Sequence, residues 1–361
     1  MEVKGSNGPS RTSAVALLLA AGLATGTARA QSDPSQFGTI FNIGTVPTGS
    51  IFDVPGAVTG TVVGDDDVTV GNGGVLGPGN QMGDVLGSNS QLNLFDGGVI
   101  GQNFSAGPLD GTGSNIEVNI SGGTLGDSFR AFSGSTVNIT SGSFGRSFNA
   151  NSGSTVNISG GTLGEDFAAN SGSTVNISGG TVGDRFDAFD GSTVNISGGS
   201  IGERFEAFSG STVNISGGTL GEDFAANSGS TVIISGGTLG EDFAANSGST
   251  VNISGGAVGP SFDAFSGSTV NLFVTEISIG GTELGLSLNE TIEIEQRGSA
   301  LLVATLADGS FFDLRLNSSF NGPDFVDSDA TLTVTLVPTP TPSAAIALGL
   351  GGLIAARRRR G

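Results

Sequence analysis

Two pairs of carboxylates at matched positions of neighbouring repeats are the side chains of this sequence best suited to chemistry. Glu222 and Asp223 recur 19 residues further on as Glu241 and Asp242. If the repeats stack, like charges about 5 Å apart repel each other by roughly 1 kcal/mol in water and by more at lower dielectric. Calcium, with its oxygen ligands and loose geometry, would relieve that repulsion. The sequence therefore predicts a calcium site at these four residues, and the alternative is a solvated acidic face that keeps molecules apart.

These carboxylates belong to a tandem array whose unit is 19 residues long. The string VNISGGTLGEDFAANSGST occupies residues 156–174 and returns unchanged at residues 213–231. Its opening valine recurs without insertion or deletion at Val118, Val137, Val156, Val175, Val194, Val213, Val232, Val251 and Val270. A fixed period of this kind is typical of solenoid proteins, in which each unit stacks on its neighbours.

The array is also repeated on a larger scale. The residue three positions after the Phe of each unit runs Phe132, Asn151, Asn170, Phe189, and then Phe208, Asn227, Asn246, Phe265. This order indicates that a block of four units was copied with its register kept.

Each unit has the pattern of a strand followed by bends. Val156 and Ile158 alternate with polar residues, which is typical of a half-buried strand, and glycines follow where the chain must turn. One unit cannot bury its apolar side chains alone, but units stacked about 4.8 Å apart would enclose Val, Ile, Leu, Phe and Ala. The sequence therefore predicts an all-β protein built on a parallel β-solenoid, or β-helix, of 19-residue rungs and roughly 40 Å long.

Asparagine occupies the same outward position in almost every unit. Asn138 begins an N-x-T sequon, and N-x-S sequons begin at Asn119, Asn157, Asn176, Asn195, Asn214 and Asn252. These residues suit either glycan attachment or a ladder of amide hydrogen bonds between rungs, interrupted at Ile233. With the Thr and Ser beside them they predict a flat polar face that would suit a polysaccharide, a mineral, ice or water.

The composition argues against catalysis. The chain contains no His, Cys, Trp or Tyr, so the usual general base, the common nucleophile and the standard zinc ligands are missing. A catalytic site also breaks repeat symmetry, whereas these units carry no insertion. We therefore expect no enzyme and no required cofactor. Because parallel β-helices include polysaccharide lyases and hydrolases, a carbohydrate-active protein that binds, cleaves or hydrolyses polysaccharide is the alternative.

The chain divides into five predicted segments. Residues 1–30 have the basic, apolar and Ala-Arg-Ala sequence of a secretory signal peptide. Residues 31–90 are expected to form a β-rich N-terminal cap, and residues 91–273 the solenoid, with a degenerate first rung at 91–104 that has an extra residue near Phe95. Residues 274–336 are expected to form an antiparallel β cap with a hairpin at Asp308-Gly309. Residues 337–361 form a distinct tail.

That tail contains Val337-Pro338-Thr339-Pro340, an apolar run over residues 344–356 and four arginines at 357–360. This order resembles the PEP-CTERM sorting signal of bacteria with an outer membrane, although Thr339 stands where the commonest motif has Glu. The repeats and the segment ATLTVTLVP also resemble those of extracellular PEP-CTERM repeat proteins. The resemblance implies export, recognition by an exosortase-type sorting machinery, and membrane contact only through the short hydrophobic helix of the tail, either transient or retained.

The charge balance limits the partners. Residues 31–336 contain 6 arginines and 32 acidic residues, a formal charge of −26. Nucleic acid and anionic membranes are bound through Lys and Arg, so we expect neither as a partner. The sequence thus predicts an exported structural and adhesive protein of the cell surface or extracellular matrix, with extracellular polysaccharide or another matrix polymer as its partner.

Overall fold

A computed structural model describes residues 36–44, 58–60, 62–63, 85–319 and 324–339. Over these residues the protein is all-β, without an α-helix, and forms a parallel β-solenoid of about ten turns with an antiparallel segment near the C-terminal end. The predicted fold class is confirmed. The predicted signal peptide, the apolar run at 344–356 and the arginine cluster lie outside the described residues.

The solenoid begins earlier in the chain than the repeats suggested. Its first strands are β1 (Thr39–Ile43), β2 (Val58–Gly60), β3 (Val62–Val63), β4 (Val85–Leu86), β5 (Ser90–Leu94), β6 (Val99–Ile100) and β7 (Ser105–Ala106). β1 pairs in parallel with β5, β3 with β6, and β4 with β7. The described strands β1, β3 and β4 thus lie in register one rung below β5, β6 and β7, so residues 91–104, expected to form the first rung, stack on an earlier one.

The extra residue near Phe95 is confirmed by the register. Leu94 pairs with Ile120 and Val99 with Thr124, so five residue steps on one strand match four on the next. The insertion is absorbed where the chain bends, and the pairing on both sides of it is kept.

The repeat array alternates long and short strands. These are β8 (Ile116–Leu125), β9 (Arg130–Ala131), β10 (Ser135–Phe144), β11 (Asn149–Ala150), β12 (Thr155–Leu163), β13 (Phe167–Ala169), β14 (Thr174–Val182), β15 (Phe186–Ala188), β16 (Thr193–Ile201), β17 (Phe205–Ala207), β18 (Thr212–Leu220), β19 (Ala225–Ala226), β20 (Thr231–Leu239), β21 (Phe243–Ala245), β22 (Thr250–Val258), β23 (Phe262–Ala264) and β24 (Thr269–Ile279). The long strands pair in one parallel sheet and the short strands in a second, 11-stranded sheet.

Three bends per rung close the coil. The long strands shift register at their Gly-Gly pair, where Gly180 has φ +80° and an added Cβ would lie 2.7 Å from the carbonyl oxygen of Gly160. A second bend precedes each short strand, with Asp166 at φ 64°, and a third follows it, with Gly172 at φ +73°. Because glycine adopts this conformation more freely than other residues, the glycines of the unit fix the first and third of these bends.

The core repeats with the rungs. Val156, Ile158, Leu163, Phe167 and Ala169 point inward, and none of them is more than 2% exposed. The Phe rings form a stack from residue 148 to residue 262, with neighbouring centroids 4.6–5.1 Å apart. The predicted inward residues are confirmed, and each side chain is buried mainly by the equivalent residue above and below.

The chain returns to the solenoid after leaving it. The last strands are β25 (Thr282–Glu283), β26 (Thr291–Glu293), β27 (Ala300–Leu306), β28 (Phe311–Leu316), β29 (Phe325–Val326) and β30 (Thr331–Leu336). β27 and β28 form the predicted antiparallel hairpin around Asp308-Gly309. In contrast to the wholly antiparallel cap that was expected, β29 and β30 pair in parallel with β23 and β24 and add a final turn. β26 then covers the outer edge of β30, which removes an open strand edge.

The hairpin closes the open end of the core. Phe312, Leu314 and Leu316 are buried on its inner face, and the Phe312 ring meets the Phe262 ring edge-on at 6.1 Å. The Oδ2 atom of Asp308 accepts a hydrogen bond from the Gly256 amide at 2.9 Å. The last long rungs therefore end against apolar side chains rather than against solvent.

Candidate functional site

The four predicted calcium-binding carboxylates lie at the bend before the short strands. Asp223 and Asp242 both have φ 62°, in the left-handed region that Asp and Asn tolerate better than most residues. The Asp223 amide donates to the Glu241 carbonyl oxygen of the next rung at 3.1 Å. The Asp of each pair therefore has a backbone role, which the sequence pattern alone did not reveal.

No metal cluster is evident at this bend. Within residues 36–339, as far as the structure describes them, no group of three or more Asp, Glu, His or Cys side chains is arranged to hold a metal ion. The calcium site at Glu222, Asp223, Glu241 and Asp242 stays a prediction.

Other side chains at the same bend make polar contacts between neighbouring rungs. The Nη1 atom of Arg185 lies 2.8 Å from Oδ1 of Asp166, which stands 19 residues earlier on the neighbouring rung. The Oδ1 atoms of Asp127 and Asp184 each accept the backbone N–H of the next rung at 2.9 Å, from Arg146 and Glu203. Aspartate at these positions thus joins successive rungs through the backbone, independently of any ligand.

The outward residues of the first half of each long strand, such as Thr155, Asn157 and Ser159, form a surface that we name the Thr-Asn-Ser face. Its centre is an amide ladder in which each Asn Nδ2 donates to the Asn Oδ1 of the rung before, at 2.8–3.0 Å. The ladder joins Asn42, Asn93, Asn119, Asn138, Asn157, Asn176, Asn195 and Asn214. It stops at Ile233 and resumes from Asn252 to Asn271, so the predicted amide ladder is confirmed.

The ladder also affects whether the sequon asparagines can accept a glycan. In six of the seven sequons the Nδ2 atom that a glycan would need already donates to the neighbouring rung, the exception being Asn252 next to Ile233, and Asn119 is only 1% exposed. Attachment of a sugar would break the ladder bond of that rung. The geometry therefore favours the structural interpretation of these asparagines over a glycan acceptor role.

The two columns beside the ladder differ in hydrogen bonding. On one side, the Oγ atoms of Ser159 and its equivalents donate to an Ile carbonyl oxygen of the previous rung at 3.2–3.4 Å. On the other side, the partly exposed Thr hydroxyls have no hydrogen-bonding partner in the described part of the chain. From Thr136 to Thr250, a length of about 30 Å, the face contains no charged residue and only Ile233 departs from Thr, Asn and Ser.

The outward residues of the short strands and of the positions flanking them form a second surface, the short-strand face. It is the surface on which the rungs differ from one another. Its corner column contains like pairs: Phe189 stacks on Phe208 at 5.0 Å and 7°, and the Nδ2 atom of Asn246 donates to Oδ1 of Asn227 at 3.0 Å. Sequence reasoning found this Phe and Asn order but missed that like residues become neighbours.

Two carboxylates, which the sequence already suggested could neutralise Arg185 and Arg204, lie on the short-strand face. Asp187 and Glu206 occupy paired positions of β15 and β17. Burial, reinforced by the Glu206 carboxylate, raises the pKa of Asp187 above its ordinary value. Burial also raises the pKa of Asp263 to about 6, against the opposing effect of a hydrogen bond from the Phe325 backbone. In the sequence, these acidic positions are marked by the change from Phe-Ala-Ala-Asn to Phe-Asp-Ala-Phe and Phe-Glu-Ala-Phe in the units concerned.

The chain matches no protein-family model, no curated protein and no solved structure. Over the described ranges, no helix has the length and apolar character needed to cross a membrane.

Proposed function

We propose that the protein is an exported structural and adhesive rod of the cell surface or extracellular matrix, and that it binds a neutral, hydroxyl-rich polysaccharide along the Thr-Asn-Ser face. The observation that carries this proposal is the uncharged strip from Thr136 to Thr250 on an otherwise acidic molecule. Export and sorting are supported by the predicted signal peptide and by the resemblance of the tail to a PEP-CTERM signal. The tail would also be the only part in contact with a membrane.

The hydrogen-bonding groups of this face favour a polymer of hydroxyl groups. Each ladder amide uses one N–H and one acceptor position within the ladder, which leaves one of each for a ligand. The Thr hydroxyls beside the ladder add a donor and an acceptor per rung. Because these groups repeat about every 4.8 Å along a rigid rod, a polymer lying along the face would meet many weak sites at once.

The net negative charge of the protein favours a neutral polymer over an anionic one. The chain has a formal net charge of −20, and the acidic columns lie at the bend before the short strands, away from the Thr-Asn-Ser face. An anionic polysaccharide would be repelled by the molecule as a whole, whereas a neutral one would not. Because the ladder already holds the Asn side chains in place, binding would have to immobilise few further side chains and would lose less conformational entropy.

Affinity electrophoresis and co-sedimentation with a panel of neutral and anionic polysaccharides test the proposal. Thr174→Glu together with Thr212→Glu places two carboxylates on the face and is expected to weaken binding of a neutral polymer at least tenfold. The control is Thr181→Glu with Thr219→Glu, which changes exposed Thr residues of the same rungs beyond the Gly-Gly bend. Equal loss in both double variants, or no binding of any neutral polymer by the unaltered protein, would contradict the proposal.

One observation supports a carbohydrate-active enzyme as a second candidate. Asp187 and Glu206 are neighbouring carboxylates, and the raised pKa of Asp187 would suit a proton donor. Incubation with neutral and acidic polysaccharides, followed by analysis of reducing ends and unsaturated products, tests this. Product formation that is lost in Asp187→Asn would establish that the protein is an enzyme. If no product forms, the structural rod is the function that the assay supports.

A further inference from the structure

We propose that the interruption of the amide ladder at Ile233 binds an acetamido group, so that the polymer held by the Thr-Asn-Ser face is a neutral polysaccharide of N-acetylated amino sugars. This assignment rests on the proposed binding of a polysaccharide along the face, and it names the class of sugar. Its basis is the combination of polar and apolar groups at Asn214, Ile233 and Asn252, which we name the ladder gap.

The ladder gap leaves one acceptor and one donor of the ladder unused. In the other rungs of the ladder, the Asn Oδ1 atom accepts from the next rung and the Nδ2 atom donates to the rung before. Ile233 can do neither for its neighbours, and Oδ1 of Asn214 and Nδ2 of Asn252 have no hydrogen-bonding partner in the described part of the chain. These two Asn residues lie two rungs, about 9.6 Å, apart along the rod. The gap therefore presents an acceptor at one side and a donor at the other.

An exposed apolar side chain lies between these two polar groups. Ile233 is 37% exposed, and it is the only exposed large apolar side chain between residues 116 and 274, all of which the structure describes. The flanking Ser216 and Ser235 are also exposed, whereas the equivalent Ser178 is half-buried. The Thr-Asn-Ser face is therefore most open to a ligand where its one apolar side chain stands.

The change from Asn to Ile is isolated in the sequence and does not help the fold. Residues 213–231 and 232–250 are identical except that Ile233 stands where the first unit has Asn214. The change removes two ladder hydrogen bonds and exposes apolar surface, so a gain in stability does not account for it. A residue that breaks the local pattern without benefit to the fold is expected where a protein meets a ligand.

An acetamido group has three features that complement the ladder gap. Its N–H can donate to Oδ1 of Asn214, its carbonyl oxygen can accept from Nδ2 of Asn252, and its methyl group can pack on Ile233. The group would lie over the Ile side chain, which occupies the place of the missing amide. A hydroxyl group also donates and accepts, but it has no apolar surface and would leave Ile233 uncovered. The gap therefore favours a sugar with an acetamido group over one with hydroxyl groups alone.

The surroundings of the gap favour a sugar rather than a peptide as the carrier of this group. The partly exposed hydroxyl groups of Thr212, Thr231 and Thr250 lie in the column beside the gap, and each can both donate and accept. An amino sugar places ring hydroxyl groups next to its acetamido group, whereas a peptide backbone has none. Because N-acetylation removes the positive charge of the amine, the polymer is neutral and suits the uncharged face.

Calorimetric titration of the intact protein with matched sugars tests the class of ligand. The two probes are β-linked hexamers of N-acetylglucosamine and of glucose, which differ only in whether the acetamido group or a hydroxyl group is present. We expect the N-acetylated hexamer to bind about tenfold more tightly, and a neutral Gly-Ser peptide to bind no better than the glucose hexamer. Equal binding of the two sugars, or peptide binding as tight as that of the N-acetylated hexamer, would overturn the assignment. If neither sugar nor any longer neutral polymer binds, the proposed function itself is refuted, and the assignment with it.

Variants of the ladder gap test which residues carry the preference. Ile233→Asn completes the ladder and is expected to remove the roughly tenfold preference for the N-acetylated hexamer without weakening binding of the glucose hexamer. Adding Asn195→Ile to this variant moves the gap two rungs along the same face and should restore the preference. Thr238→Asn, an exposed position of the same rung beyond the Gly-Gly bend, is the control that should keep it. Melting temperatures verify that every variant is folded. A preference that persists in Ile233→Asn, or that the displaced gap fails to restore, would overturn the assignment.

Discussion

The gap in the amide ladder at Ile233 allows a stability change to be worked out from the structure. Ile233 pairs in register with Asn214 on one side and Asn252 on the other, so the backbone already has the ladder geometry. Two hydrogen bonds are missing: one to Oδ1 of Asn214 and one from Nδ2 of Asn252. Ile233→Asn would supply both without movement of the strands.

The expected gain is about 1 kcal/mol. Each amide hydrogen bond contributes about 1 kcal/mol net, or about 2 kcal/mol for the two. Against this, the variant loses a good strand former and some apolar burial, an effect of about 1 kcal/mol because Ile233 is already 37% exposed. For a chain of this size, we expect the melting temperature to rise by about 1–2 °C. The reverse change, Asn195→Ile, removes two bonds of 2.8 Å and should destabilise by about 1–2 kcal/mol.

Thermal and denaturant unfolding, followed by far-ultraviolet circular dichroism, measures both changes. Ile233→Asp is the matched control, because it has nearly the same shape as the Asn variant and can accept from Asn252 but cannot donate to Asn214. It should therefore be less stable than the Asn variant. The reasoning is refuted if Ile233→Asn is less stable than the unaltered protein, or if the Asn and Asp variants unfold alike.

Three further changes follow from the core, the C-terminal turn and the acidic bend. Phe205→Ala leaves a cavity between rings that stack on it at 4.7 and 4.8 Å, and should lower the free energy of unfolding by about 3–5 kcal/mol in denaturant titrations. The pKa of Asp263 is raised to about 6 on folding, so its contribution favours the folded state below about pH 4 and is lost as the pH rises through 6. Asp263→Asn should therefore be more stable than the unaltered protein at pH 7, by about 1 kcal/mol after allowance for its exposure, and equal to it near pH 4. Millimolar calcium should raise the melting temperature, and Glu222→Gln with Glu241→Gln should abolish the rise; no effect of calcium on the unaltered protein would eliminate the site.

The repeated part of the fold could be predicted because its spacing never changes. An unbroken period of 19 residues places equivalent residues on neighbouring rungs, so the inward Val, Ile, Leu, Phe and Ala and the amide ladder both followed from the spacing alone. The first and last turns could not be found in this way. β5 stacks on β1 at a spacing of 51 residues, and Thr333 joins Asn271 at a spacing of 62, with Oγ1 2.6 Å from Oδ1.

Alternation alone does not decide strand direction. The segment Thr331-Leu332-Thr333-Val334 alternates equally well for a parallel or an antiparallel partner, and the hairpin before it suggested the antiparallel choice. The similarity of this segment to the Thr-Val-Asn-Ile of the repeat was the feature that pointed to a parallel partner. In the structure Thr333 takes the position that Asn holds in the ladder. The left-handed bend was also hidden, because Arg185 and Arg204 occupy it with φ 65° and 61°, where arginine is uncommon.

The distribution of variation over the rod indicates where function lies. Inside, the residues change only among apolar types, and every rung has equivalent neighbours above and below. On the Thr-Asn-Ser face the rungs are also nearly identical, which suits a partner that is itself a regular polymer. On the short-strand face the middle column takes Arg, Asn, Ala, Asp and Glu, although the backbone environment of each rung is the same. The variation between rungs is therefore concentrated on this face, whereas the core and the Thr-Asn-Ser face stay nearly constant.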